Sequence, residues 1–145
     1  MKKKVMLFLM TVLMSFSAMC YASYGSDLDA ETKVVDQFFA SRDYKKIVGL
    51  MDPELAKELP ADRYKTQFGE IDKELGKMTQ KDLLGYRLLK DMHVLIYAAK
   101  FEKGAVLELD VFFKTVNGKP LMANFSLYDP NAQAQAQAPA GAEKK

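Results

Sequence analysis

Asn117-Gly118 stands between two stretches that alternate with a period of two. Upstream, Leu107, Leu109, Val111 and Phe113 take one parity and Glu108, Asp110, Phe112 and Lys114 take the other. Downstream, Leu121, Ala123, Phe125 and Leu127 run opposite Asn124 and Ser126. A strand with that pattern buries one face and leaves the other partly wet. Asn-Gly accepts the two positive φ angles of a type I′ turn, whose twist matches that of the strands it joins. The second half of the chain is therefore committed to antiparallel strands. Residues 84–90 and 92–101 have the same β-branched, aromatic and leucine content, and Lys103-Gly104 marks another turn before 106–116. The expected sheet is a meander of about four strands.

The first half changes period. Ser26 or Asp27 can cap a helix with Asp29 and Glu31 in its first turn, followed by Val34, Val35, Phe38 and Phe39 at helical spacing. A short stretch carries Tyr44, Ile47, Val48 and Met51. Asp52-Pro53 restarts a helix, with Asp as cap and Pro at the first helical position, and Pro60 ends it. Residues 61–75 place Tyr64, Phe68, Ile71 and Leu75 on one stripe, and Gly76 stands where a left-handed C-cap is expected. Helices followed by a meander predict an α+β domain, its N-terminal helices packed on a curved antiparallel sheet.

Both ends read as something other than fold. Lys2-Lys3-Lys4, the apolar run 5–14 and the small-residue run 15–22 follow the order of a secretory signal peptide, so residues 1–22 are expected to be removed after Ala22. The apolar run is short of the roughly 20 residues of a spanning helix, so no stable membrane span is expected after cleavage. Met19 before Cys20 departs from the Leu-Ala-Gly-Cys pattern of lipoproteins, which argues against lipidation. The expected product is exported, periplasmic or extracellular, and free of cysteine. Residues 130–145, an Ala/Gln-rich run ending in Lys145, lack large apolar side chains and are expected to form a disordered tail. One domain, 27–129, remains.

Charge narrows the function classes. The chain has 21 Lys+Arg against 19 Asp+Glu, a formal +2. Without Lys2, Lys3 and Lys4 the balance is 18 against 19, or −1. A near-neutral, evenly mixed surface carries no footprint for nucleic acid. There is no Gly-x-Ser-x-Gly elbow, phosphate loop, dinucleotide fingerprint or His-Glu-x-x-His helix. No cofactor is expected, and one histidine makes a metal site an unfavourable reading.

The order Val34-Val35, Phe38-Phe39-Ala40, Asp43 to Ile47, Met51-Asp52-Pro53, Gly76 and Val116 to Pro120 resembles the nuclear transport factor 2-like superfamily, above all its small exported bacterial domains of unknown function. The resemblance spans about residues 29–128. It implies a strongly curved sheet wrapped round helices as a cone. Some members are isomerases, cyclases or dehydratases with an Asp or Asp-His pair in the cone, and others are binding or dimerisation modules. No motif here carries such a pair over.

Three groups of residues remain as candidates. His93, in step with Leu95 and Tyr97, reads either as a general base paired with Asp110 or Glu108 on a neighbouring strand, or as a histidine at a strand start. Glu108 and Asp110 share a strand face, with carboxylates about 6–7 Å apart. They read as an acid/base pair or as a solvated face. Phe38, Tyr64, Phe68, Tyr97 and Phe112 could line a pocket for an apolar small molecule, or form core. Residues 92–101 are apolar on both faces, and a sheet so built needs cover on both, which points to a homodimer through the sheet. The leading expectation is an exported, non-enzymatic binding or interaction module. The alternatives are a cofactor-free isomerase, dehydratase or hydrolase acting in the cone, and a carrier of an apolar molecule.

Overall fold

The computed structural model describes residues 25–132. The expected signal peptide, 1–22, and residues 133–145 of the expected tail lie outside them. Helix α1 occupies residues 25–40, so Ser26 and Asp27 lie within the helix rather than at its cap. Then come α2 (Tyr44–Ile47), a 3-10 turn (Val48–Leu50), α3 (Pro53–Glu58) and α4 (Ala61–Leu75). Four strands follow: β1 (Met78–Leu88), β2 (His93–Phe101), β3 (Val106–Val116) and β4 (Lys119–Tyr128). They pair antiparallel in the order β1-β2-β3-β4, the open meander that the alternation predicted. Helices first and a sheet second make the α+β class.

Local chemistry explains most of the boundaries. The Asp43 carboxylate accepts the Lys45 N–H at the start of α2. The Asp52 carboxylate accepts the Leu55 N–H at 2.7 Å, with Pro53 at the first position of α3, as the sequence predicts. Asn117 (φ 51°) and Gly118 (φ 74°) both take the positive φ of the expected hairpin turn. Gly76 ends α4 at φ 77° and ψ −168°, outside the left-handed helical region but equally reserved for glycine. A Cβ there would stand 2.8 Å from the Glu102 side chain, so the close approach demands glycine as well.

β2 begins one residue later than expected, at His93, and β4 two residues earlier, at Lys119, and three further boundaries differ. β1 begins at Met78 rather than Leu84, because Thr79, Gln80 and Asp82 sit on an exposed outermost strand, where polar side chains cost nothing. It ends at Leu88, since the Leu89 N–H donates to the Met92 carbonyl and closes the turn. At the other end β4 gives way to a short helical turn at residues 130–132, within the expected tail, which Asp129 starts by accepting the Asn131 N–H.

The core lies between the helices and one face of the sheet. Val35, Phe38, Ile47, Leu95, Leu109, Val111, Phe113 and Met122 are all at most 1% exposed. Phe38 is the hub of an aromatic cluster, with ring centroids 5.9 Å from Phe68, 6.1 Å from Tyr64 and 5.4 Å from Phe125. Edge-on and tilted ring contacts of this kind add to the area they bury. On the far face of the sheet, Val94 is buried and Ile96, Ala98 and Phe112 are half-buried. Among the described residues no helix is long and apolar enough to cross a membrane.

Candidate functional site

Two clusters of titratable groups stand out, one on each face of the sheet. The first is built by α1, β1 and β2. His93 has the parity of Leu95 and Tyr97, so its ring turns to the helix side, where α1 brings Glu31. Glu31 Oε1 lies 2.5 Å from His93 Nδ1, and Glu31 is 1% exposed while the His93 side chain is 26% exposed. The Tyr86 hydroxyl lies 2.9 Å from the same nitrogen, with the two rings edge-to-face. One ring nitrogen cannot donate and accept at once. With Nδ1–H donating to Glu31, the Tyr86 hydroxyl turns its own proton toward the carboxylate.

Burial pushes the Glu31 carboxyl above the usual carboxylate range, and the hydrogen bonds from His93 and Tyr86 oppose that without cancelling it. Glu31 Oε2 makes no hydrogen bond among the described residues. Chemically, a carboxylate that holds Nδ1–H fixes the tautomer and orients the ring, leaving Nε2 as the atom able to take a proton.

The second cluster lies on the opposite face. Glu108 and Asp110 pair with Ala98 and Ile96, whereas His93 pairs with Phe113, so neither carboxylate reaches the histidine. The expected pairing of His93 with Asp110 or Glu108 gives way to Glu31, for reasons of strand parity. Glu108 and Asp110 instead share the Tyr128 hydroxyl, which donates to Glu108 and lies 3.5 Å from Asp110 Oδ2. These bonds raise the phenol's pKa to about 12. Burial, and then the neighbouring Glu108 charge, raise Asp110 above its ordinary value. Lys114, on the same alternation, reaches away to Glu54 at 2.8 Å and Asp52 at 3.4 Å.

The pocket candidates divide in the same way. Phe38, Tyr64, Phe68 and Tyr97 are each at most 2% exposed and pack as core. Phe112 faces away from them. Where Phe39, Arg42, Phe68, Phe101 and Leu127 meet, a partly closed, largely apolar space of about 20 Å³ remains, room for roughly one water. Larger hollows, such as the groove of about 210 Å³ between α1 and β1, are open to solvent. Among the described residues no three His, Cys, Asp or Glu side chains gather where they could hold a metal ion.

Sequence reasoning missed Glu31 and Tyr86. The signal for Glu31 was present: Leu28, Glu31, Val35 and Phe38 fall on one helical stripe, so an acid interrupts an apolar face. Tyr86 could be placed only once the β1–β2 register was known. Comparison of the chain with protein-family models, with curated proteins and with solved structures finds no match.

Proposed function

We propose that this chain is an exported, non-enzymatic interaction module of the nuclear transport factor 2-like type, working as a homodimer through its sheet. The observation that carries this reading is the filled interior. A ligand site in a cone of this kind needs a hollow of some hundreds of Å³. The hollow between the aromatic residues and the sheet holds only about 20 Å³ and is lined by Phe39, Phe68, Phe101, Phe125 and Leu127 together with Arg42, Ile71 and Met78. That volume also counts against carriage of an apolar molecule. Most of the large apolar side chains left exposed lie on the sheet instead: Leu83, Leu84 and Leu88 of β1 are each between 45% and 61% exposed. Interaction modules present such surface to a partner.

Light scattering behind a sizing column, with native mass spectrometry on residues 23–145, tests the reading. The expected result is a dimer of bare chain mass. A monomer would remove the homodimer, and a retained small molecule would restore the ligand-binding alternative.

One observation favours a second reading, cofactor-free acid/base catalysis. Glu31 orients His93 as an activating carboxylate orients a general base. Under that reading Nε2 of His93 performs the proton transfer, and His93→Asn abolishes turnover while leaving the fold intact.

A further inference from the structure

The two edges of the sheet are finished differently. β4 is covered along its middle, where Met51 forms a parallel bridge with Met122 and the Asp52 N–H donates to the Met122 carbonyl at 2.8 Å. β1 has β2 on one side and no described strand on the other. An edge strand turns backbone N–H and C=O groups outward, and these groups template pairing with another chain. β1 is 11 residues long and apolar in its second half, with Leu84 at 61% exposure. Lysine on an edge commonly blocks pairing. Lys81 does not act in that way, because it turns to the helix side and pairs with Asp36 at 2.6 Å.

The charges on β1 specify the partner. The pairing of β1 with β2 is irregular between Leu83 and Gly85, which makes Leu84 the extra residue. A bulge shifts the alternation by one. Asp82 and Arg87 consequently stand on the same face, opposite Ala98 and Val94. Two copies of β1, laid antiparallel about an axis between residues 84 and 85, set Asp82 of each against Arg87 of the other. The same register sets Leu83 beside Tyr86 on the helix side, and Leu84 against Gly85. A Cβ at Gly85 would make only ordinary contact with Ile96, at 3.7 Å, so packing within the chain does not require glycine there. Displacement by two residues leaves Asp82 facing Gly85 or Leu89, and both ion pairs vanish. Within a single chain, Asp82 accepts a hydrogen bond from Gln80, and Arg87, whose charge acts on Asp110 across the same face, makes no ion pair among the described residues.

We propose that β1 is the homodimerisation edge, at which a second copy adds antiparallel to form one continuous sheet held in register by reciprocal Asp82–Arg87 pairs. This rests on the reading of the chain as an interaction module and names where its partner sits. An isologous contact of this kind allows a charge-swap test. In D82R or R87D both pairs become like charges, and dimerisation is expected to weaken about a hundredfold. The double variant D82R/R87D, and an equal mixture of the two single variants, are expected to recover the wild-type dimer. Light scattering across a dilution series of residues 23–145 reads the result, and circular dichroism melts confirm that each variant is folded. L84K, which places a charge at the contact without touching either ion-pair residue, is expected to be monomeric. Dimers that persist in D82R, R87D and L84K would overturn the β1 edge while leaving a homodimer through another surface. A wild-type monomer would overturn both.

Discussion

Each face of the sheet sets a carboxyl beside a phenol, and the two faces differ in the third group that joins them. On the helix side, a carboxyl meets an imidazole and a phenol: Glu31, His93 and Tyr86. On the far side, a carboxyl meets a second carboxyl and a phenol: Asp110, Glu108 and Tyr128. Both acids are pushed upward mainly by burial. The histidine makes the difference, because it offers Glu31 a cation when protonated and a hydrogen-bond donor when neutral. Asp110 has another acid as its neighbour. The helix-side group is a pair able to exchange a proton, while the far-side group is two acids restrained by one hydroxyl. Exchanging one group of three therefore changes what the cluster can do.

The sharpest test of the contrast between faces uses neighbouring phenylalanines on β3. Phe113 is 1% exposed against the helices, and Phe112 is half-buried on the far face. Phe113→Ala is expected to cost about 3–5 kcal/mol and Phe112→Ala about 1–2 kcal/mol in urea unfolding of the monomeric form. Equal costs would mean that the far face is as tightly packed as the core.

The role of His93 can be isolated next. His93→Ala takes from buried Glu31 one of its two hydrogen-bond donors, leaving Tyr86, and is expected to destabilise by about 2 kcal/mol. In an E31Q background the same change should cost about 1 kcal/mol, because the bond to the carboxyl is already gone. A cycle with no coupling would reduce the pair to a packing contact.

The smallest effect is in pH. A carboxyl whose folded pKa lies above its unfolded value binds its proton more tightly when folded. Its contribution is fully present below the unfolded value, about 4, and is lost as pH rises through the raised folded value. Glu31 and Asp110 have the same sign, so wild-type melting temperature should fall as pH rises through that window. E31Q should flatten the profile more than D110N, since Glu31 is the more deeply buried. Profiles of E31Q and wild type that run parallel would exclude Glu31 as the titrating group.

What could be read from the sequence was local. Asn117-Gly118 announces its turn because the two φ angles belong to two adjacent residues. The face of His93 follows from parity with Leu95 and Tyr97. Its partner does not, because Glu31 lies 62 residues away and nothing local specifies which face of α1 meets which strand. The first half of β1 escaped for a different reason. Hydrophobic alternation reports burial, and an outermost strand has little of it; residues 79–82 are a strand only because β2 lies beside them. Phe112 had the aromatic character of a pocket residue and the parity of the far face, and parity decided.

Asp52 joins the two halves of the chain at one point. Its backbone bonds β4, its carboxylate starts α3, and with Glu54, which lies 60 residues from Lys114, it receives that lysine from β3. The β3–β4 hairpin can form early, since its turn closes a short loop, whereas this joint closes a long one at a larger entropic cost. The helices are synthesised first, yet this anchor does not exist until Met122 has been added. Helix α3 is thus fastened by the part of the fold that is made last, and a chain cut before β4 leaves its N-terminal half without that fastening.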